Sequence, residues 1–227
     1  YQTEEEAAKA PNDPNAQGRK KHAGDAIFED VNNDGQLDSK DMIFMGYVRP
    51  DKVGGIINTL KYKGLTVRIV MDWAMGHVID NGFKGQIMGS SRNNNNAIKE
   101  AMTNSWQSAN DGSKYPKYTV QSDYDYQYRN HMRWDNQIGS SASGSTNNSL
   151  YFSKGDYLAF REVSLSYMLP LSWIRKMKLS AVEVFAGAYN IGYIKKYAGM
   201  FPEIYTGVDY GIYPRPRQYN MGVKINF

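Results

Sequence analysis

The residues best suited to chemistry in this sequence form an acidic segment at positions 30–41. It reads Asp-Val-Asn-Asn-Asp-Gly-Gln-Leu-Asp-Ser-Lys-Asp. Oxygen-bearing side chains recur at the ligand positions of a calcium-binding loop, a glycine stands where such a loop turns sharply, and the next residue offers its backbone carbonyl. The ligand residues are Asp30, Asn32, Asp34, Gln36, Asp38 and Asp41, and the turn residue is Gly35. This spacing predicts a structural Ca²⁺ site.

A second interpretation of the same segment needs no metal. Asp and Asn side chains also accept hydrogen bonds from nearby backbone N–H groups and so hold a turn by themselves. The last ligand position carries Asp41 instead of the usual glutamate, whose longer side chain binds with two oxygens. The flanking residues are strand-like, so a helix–loop–helix setting is not expected. The spacing favours the cation site, and the self-held turn remains the alternative.

The rest of the sequence offers no set of catalytic side chains. The three histidines, His22, His77 and His131, are scattered in polar segments, and Asp123 and Asp125 have no evident orienting group. A glycan-degrading enzyme needs two carboxylates about 5–10 Å apart, and no such pair can be named. The absence of cysteine excludes thiolate metal sites, iron–sulfur clusters and cysteine nucleophiles. We therefore expect a protein that is not an enzyme.

Binding chemistry is better represented, in long polar loops rich in tyrosine and asparagine. Aromatic rings present flat apolar faces with a polar tip, and amides both donate and accept hydrogen bonds. Such loops suit sugars, peptides or another protein. The candidate substrate contacts are Trp106, Tyr124, Tyr126 and Tyr128. Nucleic acid is not an expected partner, because the 27 Lys and Arg residues are scattered and nearly balanced by 23 Asp and Glu.

The elements that carry these loops are predicted to be β-strands. Residues 65–76 alternate between large apolar side chains at odd positions and residues such as Arg68 and Asp72 at even ones. Residues 54–62 repeat the pattern, and Lys63-Gly64 between the two runs predicts a hairpin. No apolar run reaches the roughly 18 residues of a membrane-spanning helix, but a membrane-spanning strand needs only about 9–11.

Further strands are predicted downstream, at 156–169, 182–191 and 218–227, with a possible sixth strand near 25–29. Arg161 falls on the apolar side of its strand, so either it lies near an interface or a bulge shifts the alternation. One helix is expected at 97–106, with Asn96 as its N-cap.

The lengths of the connections give the fold class. Short links after residue 62 and at 170–181 alternate with long loops at 77–155 and 192–216. This asymmetry is typical of an all-β, antiparallel transmembrane β-barrel with long extracellular loops, although alternation also fits a soluble β-sandwich. In the barrel, Arg68 and Asp72 face the lumen and the segment 24–46 is a calcium-loop-like extracellular insertion. Five strands cannot close a barrel, so the chain is expected to be part of a larger one.

A series of landmarks, taken in order, resembles the C-terminal part of SusC/RagA-like TonB-dependent outer-membrane transporters. The most specific is Gly155-Asp-Tyr-Leu-Ala-Phe-Arg-Glu-Val-Ser-Leu-Ser-Tyr-Met-Leu-Pro170. The others are Tyr1-Gln-Thr-Glu-Glu-Glu, Gly24-Asp25, Phe28 to Gly35, Gly54-Gly55, Tyr62-Lys63, Asn104-Ser-Trp106, Tyr189-Asn190, Lys195-Lys-Tyr197, Pro202-Glu203 and Tyr213-Pro214. Departures such as Ala159 and Met168 leave the resemblance intact, and it covers essentially residues 1–227.

The resemblance implies a barrel of about 22 strands, of which this chain supplies the last five, behind an absent N-terminal plug and TonB box. It implies TonB-driven import of glycans or peptides across the outer membrane of a Gram-negative bacterium. The implied partners are a SusD-like lipoprotein, TonB and membrane lipid. Phe227 resembles the terminal aromatic residue of the outer-membrane assembly signal. The alternative function is a secreted, calcium-stabilised β-domain that acts as an adhesin or glycan-binding module.

Overall fold

A computed structural model describes residues 1–88, 98–119, 123, 125, 129–130 and 149–227. Its main feature is a five-stranded antiparallel sheet with the order β1-β2-β5-β6-β7, and β3 and β4 form a separate two-stranded sheet. The strands are β1 Lys52–Tyr62, β2 Leu65–Met75, β3 Val78–Asp80, β4 Phe152–Lys154, β5 Tyr157–Met168, β6 Ala181–Lys195 and β7 Gln218–Asn226. Every neighbouring pair in the large sheet is adjacent in chain order once the short strands are set aside. This is the up-and-down arrangement that a barrel wall requires.

The helices are short and lie in the connections. They are α1 Glu4–Ala7, α2 Gly82–Met88, α3 Lys99–Asn104 and α4 Leu171–Ile174, with 3-10 turns at Pro14–Ala16, Ser39–Asp41, Ser149–Tyr151 and Arg175–Met177. None of the helices within the described ranges is long and apolar enough to span a membrane.

The predicted hairpin between β1 and β2 is confirmed. Lys63 and Gly64 both have positive φ, at 46° and 86°. Two consecutive left-handed residues define a two-residue turn whose twist matches that of the flanking strands. A side chain at Gly64 would also meet the carbonyl oxygen of Met168 at 2.8 Å. Glycine is therefore required there both by the backbone conformation and by the close approach of β5.

The pairing register sorts the side chains of the sheet onto two faces. Leu65 stands opposite Tyr167, and Val67 opposite Leu165, so the apolar stripes of β2 and β5 share one face. The stripes of β1, β6 and β7 continue this face, which also carries Ile56, Leu60, Trp73, Leu158, Val184, Met221, Val223 and Ile225. The predicted alternation is thus confirmed on every long strand. We call this side the apolar face and the opposite side the polar face.

The unusual position of Arg161 is explained by a bulge. The register shifts between Val70 and Met71 in the β2–β5 pair and between Phe160 and Glu162 in the β5–β6 pair. One extra residue in β5 lets both Arg161 and Glu162 point to the polar face, while Phe160 returns to the apolar face. Of the two explanations that the sequence left open for Arg161, the bulge is therefore the correct one.

The connections alternate in length as predicted. The two-residue turn and the link 169–180 join strands at one end of the sheet, and the segments 76–156 and 196–217 join them at the other. Three details of the prediction are wrong. No strand forms at 25–29, β6 runs on to Lys195, and the helix expected at 97–106 begins only at Lys99 after an extended Ile98 that makes no capping bond. Asn96, its predicted N-cap, lies outside the described residues.

The chain divides into two compact units. A sheet unit comprises Tyr47–Ile79, Ser153–Tyr205 and Ile212–Phe227, and a loop unit comprises Tyr1–Gly46, Asp80–Phe152 and Thr206–Gly211. Within the sheet unit, a cluster of buried side chains forms from Ile79, Tyr197, Phe201 and Ile204, with Tyr193 against it. Within the loop unit, Met88, Ala101 and Tyr151 form a second buried cluster.

The apolar face of the sheet is open. Leu60 is 61% exposed and Met221 is 88% exposed, and neither cluster of buried residues in the described part of the chain lies on this face. A soluble β-sandwich would cover such a face with a second sheet. An apolar face without such a covering is what a barrel wall presents to lipid.

Candidate functional site on the polar face

The polar face carries two linked groups of charged side chains. The first joins β2 to β5, where Nε of Arg68 lies 3.3 Å from Oε2 of Glu162. The hydroxyl of Ser164 donates to the other oxygen of Glu162 at 2.7 Å. Each atom of this carboxylate therefore has its own donor, and the ion pair crosses the strand pairing on the polar side.

The second group centres on Arg161. Its Nε lies 2.8 Å from Oδ2 of Asp72, and its Nη1 lies 2.5 Å from Oε1 of Glu203. The hydroxyl of Tyr193 donates to the same Glu203 oxygen at 2.7 Å. Arg161 thus bridges a carboxylate on β2 and a carboxylate from the segment that follows β6. A guanidinium suits this role because its donors point in two directions within one plane.

Glu203 is buried, with its side chain only 1% exposed, and a second guanidinium completes its surroundings. Nη2 of Arg215 lies 3.4 Å from Oε2 of Glu203. The two arginines balance Glu203 and Asp72, so the group is formally neutral. Pairing is what makes this burial tolerable, because a lone carboxylate out of water is strongly unfavourable. Oδ1 of Asp72 is also buried and has no hydrogen-bond partner among the described residues.

Aromatic rings line the same region. The ring of Tyr193 meets the rings of Tyr157 and Phe201 edge to face, at centroid distances of 5.8 and 5.9 Å. The guanidinium of Arg161 lies 5.8 Å from the centroid of the Tyr193 ring. Fixed rings beside paired charges offer a polar solute both flat apolar surface and hydrogen bonds. They provide no nucleophile with an activating base, so the arrangement is suited to binding and passage.

The structure places the predicted residues Arg68 and Asp72 on this polar face, and their exposure to a lumen remains a prediction. Sequence reasoning missed Tyr193, Glu203 and Arg215 as members of the group. One signal was available for Arg161, because the adjacent charges Arg161-Glu162 inside an alternating strand are typical of a bulge.

The acidic loop is held by its own hydrogen bonds. Asp30 accepts from the backbone N–H groups of Asp34 and Gly35 at 3.2 and 2.7 Å. Asp41 accepts from the N–H groups of Val31 and Asp38 at 2.9 and 2.8 Å, and so ties the end of the loop to its start. These bonds curl the loop as the turn interpretation requires.

The predicted calcium ligands of the acidic loop have the expected turn but also other partners. Gly35 has a φ of 81°, as expected for the sharp-turn position. Nζ of Lys40, however, lies 3.3 Å from Asp34 and 3.5 Å from Asp38, where it partly neutralises two predicted ligands. Hydrogen bonds from Asn32 and from the N–H of Gln36 hold the pKa of Asp34 below its usual range. Within the described ranges no three acidic, histidine or cysteine side chains converge as metal ligands, so Ca²⁺ binding remains a prediction.

The remaining predicted residues are dispersed. Trp106 packs over Gly24, where an added Cβ would meet the ring at 2.6 Å, and its Nε1 is buried with no hydrogen-bond partner in the described part of the chain. Tyr124, Tyr126 and Tyr128 lie outside the described residues. Phe227 follows β7 and is 93% exposed, and its carbonyl oxygen accepts from the hydroxyl of Ser180. The substrate-contact and assembly roles of these residues remain predictions.

Taken together, the antiparallel strands, the open apolar face and the charged polar face define a segment of an outer-membrane β-barrel. Sequence comparison with known proteins supports this assignment. The chain is 25% identical to TonB-dependent receptor P3 of Formosa agariphila over 216 residues, which is 90% of this chain and 19% of that protein. It is 23% identical to TonB-dependent receptor P26 of the same organism, over 90% of this chain and 20% of that one. No family model matches the sequence.

Solved structures show the same fold. The chain superimposes on the RagAB peptide importer in its open-open state with a TM-score of 0.61 and 20% identity, over 88% of this chain and 20% of that one. The closed-closed state gives a TM-score of 0.60 and 21% identity, with the same coverage. The chain therefore spans about a fifth of the length of the proteins it matches.

These similarities confirm the resemblance to TonB-dependent outer-membrane transporters and the barrel fold. They also confirm the predicted location in the outer membrane of a Gram-negative bacterium. The prediction that the chain is not an enzyme is confirmed as well, because the similar proteins are receptors and transporters.

Proposed function

We propose that this chain forms part of the barrel wall of a transporter that imports nutrients across the outer membrane. The observation that carries the proposal is the two-faced sheet, which is open and apolar on one side and lined by paired charges on the other. A wall of this kind separates lipid from a polar passage. The similarity of 90% of the chain to two TonB-dependent receptors supports the same function.

The energy source and the partner follow from the same comparison. Import of this class draws on TonB, which would act through an N-terminal region of the whole receptor. A SusD-like lipoprotein is proposed as the second partner, at the end of the sheet where the long connections lie. The similarity in fold to RagAB, described as a peptide importer, supports a two-component assembly.

The substrate is proposed to be a peptide or a glycan. Peptides carry charged termini that suit a wall with exposed guanidinium groups, and the side chain of Arg215 is 51% exposed. Glycans suit the tyrosine rings that line the same face. The structural neighbours are named as peptide importers, which makes peptides the first class to test.

The decisive experiment compares the parent bacterium with two strains, one that lacks this receptor and one that lacks TonB. Each strain is grown with a protein digest, and separately with a mixture of oligosaccharides, as the limiting nutrient. Loss of growth in both mutants on one of these sources supports TonB-dependent import and identifies the substrate class. Unchanged growth of the receptor mutant on both sources, with normal receptor levels in the parent, would count against import.

The secreted adhesin remains a weaker alternative. A soluble module would need to cover its apolar face, yet Leu60 and Met221 are open to the surroundings. Recovery of the whole protein in the aqueous fraction without detergent would favour the module over the transporter.

A further inference from the structure

The segment after β6 folds back across the polar face of the sheet. Three of its side chains, Tyr197, Phe201 and Ile204, are buried together and pack against Tyr193. Tyr193 stands opposite Ala159 in the β5–β6 pair, and Ala159 stands opposite Asp72, so all three lie on the polar face. We call residues 197–204 the strap. It covers the end of the polar face at which the long connections lie.

Glu203 joins the strap to the sheet. Its carboxylate receives Nη1 of Arg161 at 2.5 Å and the hydroxyl of Tyr193 at 2.7 Å, both from residues on strands. A further charge beside it is the guanidinium of Arg215, at 3.4 Å, from the chain beyond the strap. If the strap lifted, Glu203 would leave two strand partners at once, and Arg161 would keep Asp72 as its charged partner. The closed position is therefore stabilised by charge as well as by apolar contact.

Two further residues, Phe201 and Lys195, make contacts that hold the strap in the same position. The ring of Phe201 lies between the ring of Tyr193, at 5.9 Å, and the guanidinium of Arg215, at 5.9 Å. The ammonium group of Lys195, at the end of β6, donates to the carbonyl oxygens of Gly199 and Met200. The start and the end of the strap are thus attached separately. Ala159, which stands between Asp72 and Tyr193 on the polar face, is only 1% exposed.

We propose that the strap is a fixed constriction of the passage and that Glu203 is the residue that positions it. The inference rests on the proposed import function, because only then is the polar face the wall of a passage. A movable lid would need a weakly held contact with the wall. Here a fully buried carboxylate is shared between two arginines and a tyrosine. The strap therefore behaves as part of the wall and narrows the passage.

The test measures the reactivity of a single thiol beneath the strap in the full-length receptor, in intact outer membranes. This chain contains no cysteine, so Ala159→Cys is a unique reporter within it. The reporter is treated with a polyethylene glycol maleimide from outside the cell. Reaction in the parent is expected to be slow, and Glu203→Ala is expected to accelerate it roughly 100-fold, because a buried charge pair is lost. Glu203→Gln keeps the acceptor but not the charge, so it should give an intermediate rate.

Two controls make the result specific. Met200→Cys, on the exposed side of the strap, should react equally fast with and without Glu203→Ala. Glu183→Gln, at the other end of β6, should leave Ala159→Cys protected. The variants should still migrate as folded, heat-resistant barrels, which separates release of the strap from unfolding.

Equal rates at Ala159→Cys in the parent, Glu203→Ala and Glu203→Gln would overturn the proposal. Labelling does not depend on transport, so the two proposals fail separately. If the receptor supports growth on neither nutrient mixture but shows the predicted labelling, the proposal for the strap stands and the proposed import function is contradicted.

Discussion

Nε of Arg161 lies 2.8 Å from Oδ2 of Asp72, although the two residues are 89 positions apart in the chain. The contact exists because the bulge in β5 turns Arg161 from the apolar side to the side of Asp72. The same rotation brings Glu203 within reach of the other end of the guanidinium. One extra residue in a strand thus assembles the charged group of the polar face.

The first prediction concerns the coupling between Arg161 and Asp72. A double-mutant cycle with Asp72→Asn and Arg161→Gln should give a coupling free energy of about 1 kcal/mol. The value is small for a charged contact because the Asp72 side chain is 41% exposed to solvent. It is measured from urea unfolding of the full-length receptor in detergent micelles. A control cycle pairs Asp72→Asn with Arg175→Gln, at an exposed site in the short link, and should give a coupling free energy of zero.

The second prediction concerns the hairpin turn. Gly64→Ala should destabilise the barrel by about 1 kcal/mol or more, because alanine disfavours the left-handed backbone and its Cβ would crowd the Met168 carbonyl. Lys63→Gly should instead stabilise it by up to about 1 kcal/mol, since Lys63 also has positive φ. Urea midpoints of the two variants against the parent measure both effects. Shifts of the same sign would contradict the turn geometry.

The third prediction concerns Ca²⁺ and the acidic loop. Calorimetric titration of the calcium-stripped receptor should show one site, and Asp34→Asn should weaken it because a charged ligand is lost. Lys40→Met should strengthen it, because the ammonium group that lies beside Asp34 and Asp38 competes with the metal. Lys9→Met, at an exposed site outside the loop, serves as the charge-matched control. No heat of binding in the parent or in Lys40→Met would leave the loop as a self-held turn.

The fourth prediction concerns acid sensitivity at His77. Burial lowers the pKa of this histidine, and its Nδ1 has no hydrogen-bond partner among the described residues. The unfolded chain therefore binds a proton at a higher pH than the folded one, and stability should fall as the pH drops below about 6.5. His77→Gln should remove this component, whereas the exposed His22→Gln should not. Thermal unfolding at several pH values measures it, and an unchanged slope in His77→Gln would contradict the assignment.

The sequence predicted the long strands well because their pattern is local. Odd positions of β2 are large and apolar, whereas the even positions include Thr66, Arg68 and Asp72, and such an alternation can be recognised wherever the neighbouring strands lie. The turn at Lys63-Gly64 was equally readable, since a two-residue hairpin depends on its own backbone. The prediction of a strand at 25–29 was wrong because a short apolar run carries no information about a pairing partner.

The charged group could not be predicted in the same way. Glu203 lies in a loop, 42 positions beyond Arg161, and no periodicity links the two residues. Their contact depends on the bulge and on the folding back of the strap, which are both results of tertiary packing. The acidic loop shows the opposite case. Its spacing was evident, yet spacing alone does not distinguish a metal site from a turn held by its own hydrogen bonds.

The central claim is that one face of the sheet lies in lipid. A nitroxide scan along β2 of the full-length receptor in liposomes tests it most directly, with collision rates measured against oxygen, which concentrates in lipid, and a water-soluble nickel complex. Labels at Val67, Ile69 and Met71 should collide most with oxygen, and those at Thr66, Arg68 and Val70 should show low oxygen collision. A period of two residues in phase with the apolar face is the predicted result. Uniform exposure to the nickel complex at all six positions would contradict it.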